Sequence, residues 1–221
     1  VVALAIDRVG AGGSTGPTDT YDNWLDLDEG TDIHNSWMHH YVMSAMRAIT
    51  YLTGLEEVRA DAIGVSGTSR GGICTLLTSA ADDRVALSVP IAGTGDMVRT
   101  EAFPDNWIAS IFLAQGGKSG DSAAFHRFAH HYDPERYVHE FHGFVWIING
   151  TQDEFFPITS TVALTRGAGD RLRLEAVYDA DHGHYGNDAG LFDTYLNTGI
   201  GPRLAGCLSK AIRSVLHENQ A

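Results

Sequence analysis

Cysteine is nearly missing from this chain: Cys74 and Cys207 are the only two in 221 residues. Two thiols cannot make a disulfide framework, and both lie in segments with a helical pattern, so both read as free buried thiols. Basic side chains are also scarce, with 15 Lys plus Arg against 28 Asp plus Glu, and no basic run offsets the net charge of -13. This balance excludes binding to nucleic-acid backbones or anionic membrane surfaces, which require clustered cations. No apolar run approaches the 18 residues of a membrane-spanning helix. There is no internal repeat, low-complexity tract or Pro-rich linker to divide the chain. What is present is a 43% hydrophobic composition over 221 residues, enough for one domain with a real core. Residues 1–221 are therefore expected to form a single domain.

Apolar runs and helical periodicities alternate along the chain. The opening "VVALAID" ends in an aspartate and predicts a fully buried parallel strand. A glycine-rich connection and an acidic loop follow. Residues 34–53 then carry Trp37, Tyr41, Met46, Ile49 and Leu52 at helical spacing, stopping at Gly54. "ADAIGVS" predicts a strand, "RGGICTLLTSAAD" a helix and "VALSVPIAG" a third strand. Residues 95–142 lose the simple alternation and are expected to form a cap-like insertion over one end of the sheet. "FVWIING" predicts a fourth strand, "ITSTVALTR" a helix, "RLRLEAVYDA" a fifth strand, and the remainder a closing helical region. Strands alternating with helices imply a parallel α/β sheet.

In such sheets functional groups collect on the loops that leave the carboxyl ends of strands. The loop after the second predicted strand holds "GTSRG", a G-x-S-x-G pattern on Gly67, Ser69 and Gly71. Small neighbours let a strand turn sharply into a helix around one strained residue, which thrusts the serine oxygen into the open. A serine hydroxyl needs a base to take its proton, and the base needs an acid to hold its tautomer. Asp153 follows the fourth strand in "NGTQDEFFP", with Glu154 beside it. His182 and His184 follow the fifth in "DADHGHYGN". Singly, Asp153 reads as a helix-capping loop residue and the histidines as a solvated loop. Three strand ends in the order Ser, acid, His point instead to a catalytic triad.

The motifs "GVSGTSRGG", "NGTQDEFFP" and "DADHGHYGN" resemble those of the α/β-hydrolase family. Within it they look most like bacterial acetylxylan esterase and cephalosporin-C deacetylase relatives, and they are similar to the PhoPQ-activated pathogenicity-related proteins. The resemblance implies an α/β-hydrolase fold with Ser69 as nucleophile, Asp153 as acid and His182 as base, His184 being the alternative base. It also implies that "VVALAIDRVGAGGSTGP" corresponds to the fourth strand of the family's sheet and its following loop, so that the first three strands are lacking in this chain. A missing N-terminal segment or a companion chain is accordingly expected. The Arg70 amide would be one donor of the oxyanion hole, the second lying on the loop after the third strand. The activity implied is hydrolysis of a carboxylic ester, a short acyl or acetyl group on a carbohydrate, with no metal or organic cofactor. An oligopeptidase-type serine peptidase and a non-catalytic hydrolase-like subunit are the alternatives.

Other groups carry weaker expectations. Arg70 could steer a carboxylate or acidic sugar toward the nucleophile, or simply face solvent. Asp96, after the third strand, is an alternative triad acid. His126, His130 and His131 have the i, i+4 spacing that metal ligands use, but lack the companion glutamate of H-E-x-x-H and any paired cysteines, so a polar surface is expected. Trp24, Trp37, Trp107 and Trp146 could line a sugar site, though aromatic residues more often fill cores.

Overall fold

A computed structural model of the chain describes residues 2–17, 27, 29–102, 122–178 and 180–182. Helix α1 (Trp37–Thr53) leads into strand β1 (Ile63–Thr68), and β1 into helix α2 (Arg70–Ala81) and strand β2 (Val85–Ile91). After a 3-10 turn at Met97–Ala102 come helix α3 (Ser122–Tyr132), a second 3-10 segment (Pro134–Glu140) and strand β3 (Phe144–Gly150). Helix α4 (Ile158–Ala168) and strand β4 (Leu172–Val177) complete the described part. The four strands are hydrogen-bonded in chain order, all parallel. Parallel neighbours cannot be joined by a tight hairpin. Each pair is bridged by helical crossovers, so the carboxyl ends of all four strands gather on one edge.

The strand sequences show why the sheet is central. The "FVWII" run of β3 is continuously apolar because the strand is covered on both faces. Val145 and Ile147 pack with Leu76 of α2, Leu164 of α4, and Val138 and Phe141 of the crossover. Trp146 and Ile148 point the other way, against Leu87 and Val89. The largest core cluster sits above the strand ends, joining Trp37, Met38 and Tyr41 of α1, Ile73 and Leu77 of α2, Phe125 and Phe128 of α3, and Phe155 and Phe156. Burying such a side chain contributes roughly 1.5–3 kcal/mol, so this cluster holds in place the layer in which the strand-end loops lie.

Four of the five predicted strands are present, β3 with the predicted ends and the other three with ends shifted by a few residues. The opening segment differs. Residues 2–7 are not a strand, and they are exposed: Val2 at 45%, Leu4 at 43% and Ile6 at 40%. A strand exists only through a hydrogen-bonded neighbour. Among the described residues β1 pairs with β2 alone, and Leu4, Ala5, Ile6 and Arg8 line the cleft that separates them from β1. The closing helical region lies outside the described residues, as do Trp24, Trp107 and Cys207.

Candidate active site

Three strand-end loops converge here, and the first, after β1, carries Ser69. Ser69 caps α2 with φ 58° and ψ −117°, a left-handed backbone that costs a non-glycine residue on the order of 1–3 kcal/mol. It is held there from both sides. Its N–H donates to the Ile91 carbonyl of β2 at 2.9 Å, and its own carbonyl accepts the Ile73 N–H of α2 at 3.1 Å. The glycines of G-x-S-x-G follow from the same turn: a Cβ on Gly67 would come within 2.5 Å of the Gly71 carbonyl oxygen. Arg70 occupies the first helical position, where a backbone N–H has no acceptor within its own helix.

The second loop, after β3, carries Asp153. Its Oδ1 accepts the amides of Phe155 at 2.9 Å and Phe156 at 2.7 Å, so the turn into α4 itself orients the carboxylate. The third, after β4, carries His182. Its Nδ1 lies 3.0 Å and 2.9 Å from the two Asp153 oxygens, and its Nε2 lies 2.9 Å from Ser69 Oγ. A carboxylate can only accept, so Nδ1 donates and Nε2 is left to accept the serine proton. Asp153 and His182 are both buried. This removes competing water and strengthens the Asp153–His182 pair electrostatically.

Two further contacts hold the imidazole. Glu154 Oε2 accepts the His182 backbone N–H at 3.0 Å, and the Phe155 ring lies 4.6 Å from the imidazole, centroid to centroid. In the sequence both stand beside Asp153 in "QDEFF", but their roles could not be read there. The contact pairs residues 28 apart, and nothing in either local stretch announces it.

Ser69 opens onto a cleft of about 680 Å³ between α1, the β1 edge, the start of α2 and residues 4–8. That volume is within the range of small-molecule sites.

Residues 18–194 match the family model described as PhoPQ-activated pathogenicity-related protein. The chain belongs to that family. No curated protein sequence matches it significantly. Solved structures show the fold of this PhoPQ-related chain more widely. An acetyl xylan esterase from a Paenibacillus species superposes with a TM-score of 0.70 at 18% identity, covering 94% of this chain and 64% of its own. Acetyl xylan esterase 1 from a Thermoanaerobacterium species gives 0.59 at 17%, covering 86% and 63%. A puromycin-hydrolyzing peptidase of Mycobacterium tuberculosis gives 0.55 at 18%, covering 68% and 22%. The PhoPQ-related chain thus spans a little under two thirds of the length of these esterases, and the shared architecture is the α/β-hydrolase fold.

The remaining sequence candidates fall elsewhere. Asp96 is not the residue at the imidazole: its carboxylate pairs with Arg99 and its amide donates to Asp133. His184 lies outside the described residues. His130 and His131 are neighbours on α3 with rings 4.9 Å apart, and among the described residues no three ligand-type side chains come together as a metal site would need. Trp37 and Trp146 are buried, in the core and in β3. Cys74 is a buried free thiol whose pKa burial pushes up to about 12.

Proposed function

We propose that this chain is a serine hydrolase that cleaves a carboxylic ester, with a short acyl or acetyl group on a carbohydrate as the substrate class. The observation that carries the reading is the unbroken run of hydrogen bonds from Ser69 Oγ through His182 to Asp153. Acetyl xylan esterases among the structural neighbours support the choice of ester.

The chemistry follows the donor and acceptor pattern. Ser69 Oγ attacks the ester carbonyl carbon as its proton passes to His182 Nε2, and the carbonyl π electrons move onto oxygen. The Arg70 amide donates to that oxyanion; a single such donor is typically worth about 2.7–4 kcal/mol. Asp153 stabilises the imidazolium and keeps its Nδ1–H in place. Collapse of the tetrahedral species breaks the bond to the alcohol oxygen, which takes the proton from Nε2. Water then repeats the cycle on the acyl-enzyme, with His182 as base, to release the carboxylic acid and restore Ser69.

A fluorophosphonate probe should label the intact chain at Ser69, and labelling should vanish in Ser69→Ala. Parallel assays with para-nitrophenyl acetate and an aminoacyl para-nitroanilide should show turnover of the ester. Exclusive amide cleavage would replace the esterase reading with a peptidase, and absence of labelling would favour a non-catalytic binding module.

A further inference from the structure

Asp153 and His182 are served by one dipeptide. The amides of Phe155 and Phe156 both donate to Asp153 Oδ1, at 2.9 Å and 2.7 Å, and the two rings lie against the imidazole that the same carboxylate holds. The Phe155 ring is nearly face-on to His182, with centroids 4.6 Å apart and planes 32° apart. The Phe156 ring stands more steeply to it, at 5.3 Å and 71°. The imidazole is shut away from solvent beside them: the side chains of His182 and Asp153 are 1% and 0% exposed. Phe155 and Phe156 are buried as well and belong to the largest core cluster, so their rings are fixed where the imidazole meets them. Phe155 also lines the cleft onto which Ser69 opens.

Burial sets a problem for a base. When the Ser69 proton moves to His182 Nε2, the imidazole gains a positive charge that water cannot solvate. The Asp153 carboxylate meets that charge at the Nδ1 edge, and the face of the imidazole needs another source of negative potential. The π face of a benzene ring is such a source, because its quadrupole attracts a cation lying within about 6 Å of the centroid. Neutral imidazole gains only a stacking contact from the same ring. The difference appears as charge develops, and only interactions stronger in the transition state than in the ground state speed a reaction.

We propose that Phe155 is a positioning residue that acts by charge: its π face stabilises the imidazolium of His182 as Ser69 gives up its proton. This rests on the hydrolase reading above and concerns the base rather than the substrate. An aliphatic side chain of similar bulk could hold the imidazole in place but could not do this.

The test replaces Phe155 in the full chain with 4-fluoro-, 3,5-difluoro- and 3,4,5-trifluorophenylalanine, which draw electron density from the π face while nearly keeping the shape of the ring. The rate of Ser69 labelling by a fluorophosphonate is read first, because it needs the same proton transfer to His182 and no particular ester. It should fall step by step with each fluorine, reaching about tenfold at the third, as for a desolvated cation–π contact. With para-nitrophenyl acetate the same steps should appear in kcat, with KM unchanged. Phe155→Tyr should keep most of the rate, and Phe155→Leu should lose about tenfold. A flat labelling rate across the fluorinated series would overturn the proposal and leave the hydrolase reading standing, whatever Phe155→Leu does to folding. So would a rise in KM at constant kcat, which would make the ring a wall for substrate instead. No labelling of the native chain would remove the hydrolase reading and the role of Phe155 together.

Discussion

Two buried carboxylates in two different crossovers do the same local work and end with different partners. Asp133, between α3 and the 3-10 segment that follows it, accepts the amides of Asp96, Met97 and Glu135. Asp153, between β3 and α4, accepts the amides of Phe155 and Phe156. Each organises a turn by accepting backbone amides, Asp133 as the N-cap of its 3-10 segment and Asp153 in the turn ahead of α4. Only Asp153 also faces an imidazole, and only that imidazole reaches a strained serine. Accepting turn amides alone thus does not mark a candidate catalytic acid; what separates the two is the group on the far side of the carboxylate. Burial pushes the pKa of Asp133 up to about 6 despite three amide donors.

Substitutions can break this comparison, the largest effect falling at Asp153. Asp153→Asn keeps an oxygen for the two phenylalanine amides but can no longer hold the Nδ1–H tautomer. Ester turnover should drop by about 10⁴-fold while the thermal midpoint moves little, in steady-state kinetics set beside a melting curve. Asp133→Ala should do the reverse. Three amides lose their acceptor, so urea denaturation should show a loss of about 3 kcal/mol, with turnover per folded molecule retained. Glu154→Ala removes the acceptor of the His182 amide and should lower kcat/KM by about ten- to a hundredfold. Glu154→Gln, which still accepts, should restore most of it.

The smallest effect is the dependence on pH. The folded pKa of Asp133 lies above the unfolded value of 3.8, so between those two values the folded protein binds the extra proton. Its contribution is therefore fully favourable below about pH 4 and is lost as pH rises through about 6, by up to about 3 kcal/mol. The stability difference between the native chain and Asp133→Asn, measured at pH 4.5 and pH 7 by denaturant titration, should show this slope. A flat difference would mean that the amide donors outweigh burial at this site.

Much of the fold could be read from local pattern. "FVWIING" became β3 without a change of boundary, because a strand covered on both faces carries a continuous apolar run, here Phe144 to Ile148. Ser69 could be read as a candidate nucleophile because the turn that strains it also demands small residues at Gly67 and Gly71, and that demand is written in adjacent letters. The order of serine, acid and histidine at the ends of β1, β3 and β4 is likewise a linear property. The same kind of reading failed at residues 2–7, where an apolar run looked like a strand. Periodicity reports which side chains prefer burial; it does not report whether a neighbouring strand is there to pair.

The amino-acid sequence by itself thus determined the parallel α/β architecture, the turn at Ser69 and the candidates for acid and base, since each depends on residues near one another in the chain. The tertiary structure alone decided that Asp153 rather than Asp96 meets His182, and that Glu154 holds the histidine loop. Those choices depend on distances between segments many residues apart, and such distances exist only once the sheet has brought the strand ends together.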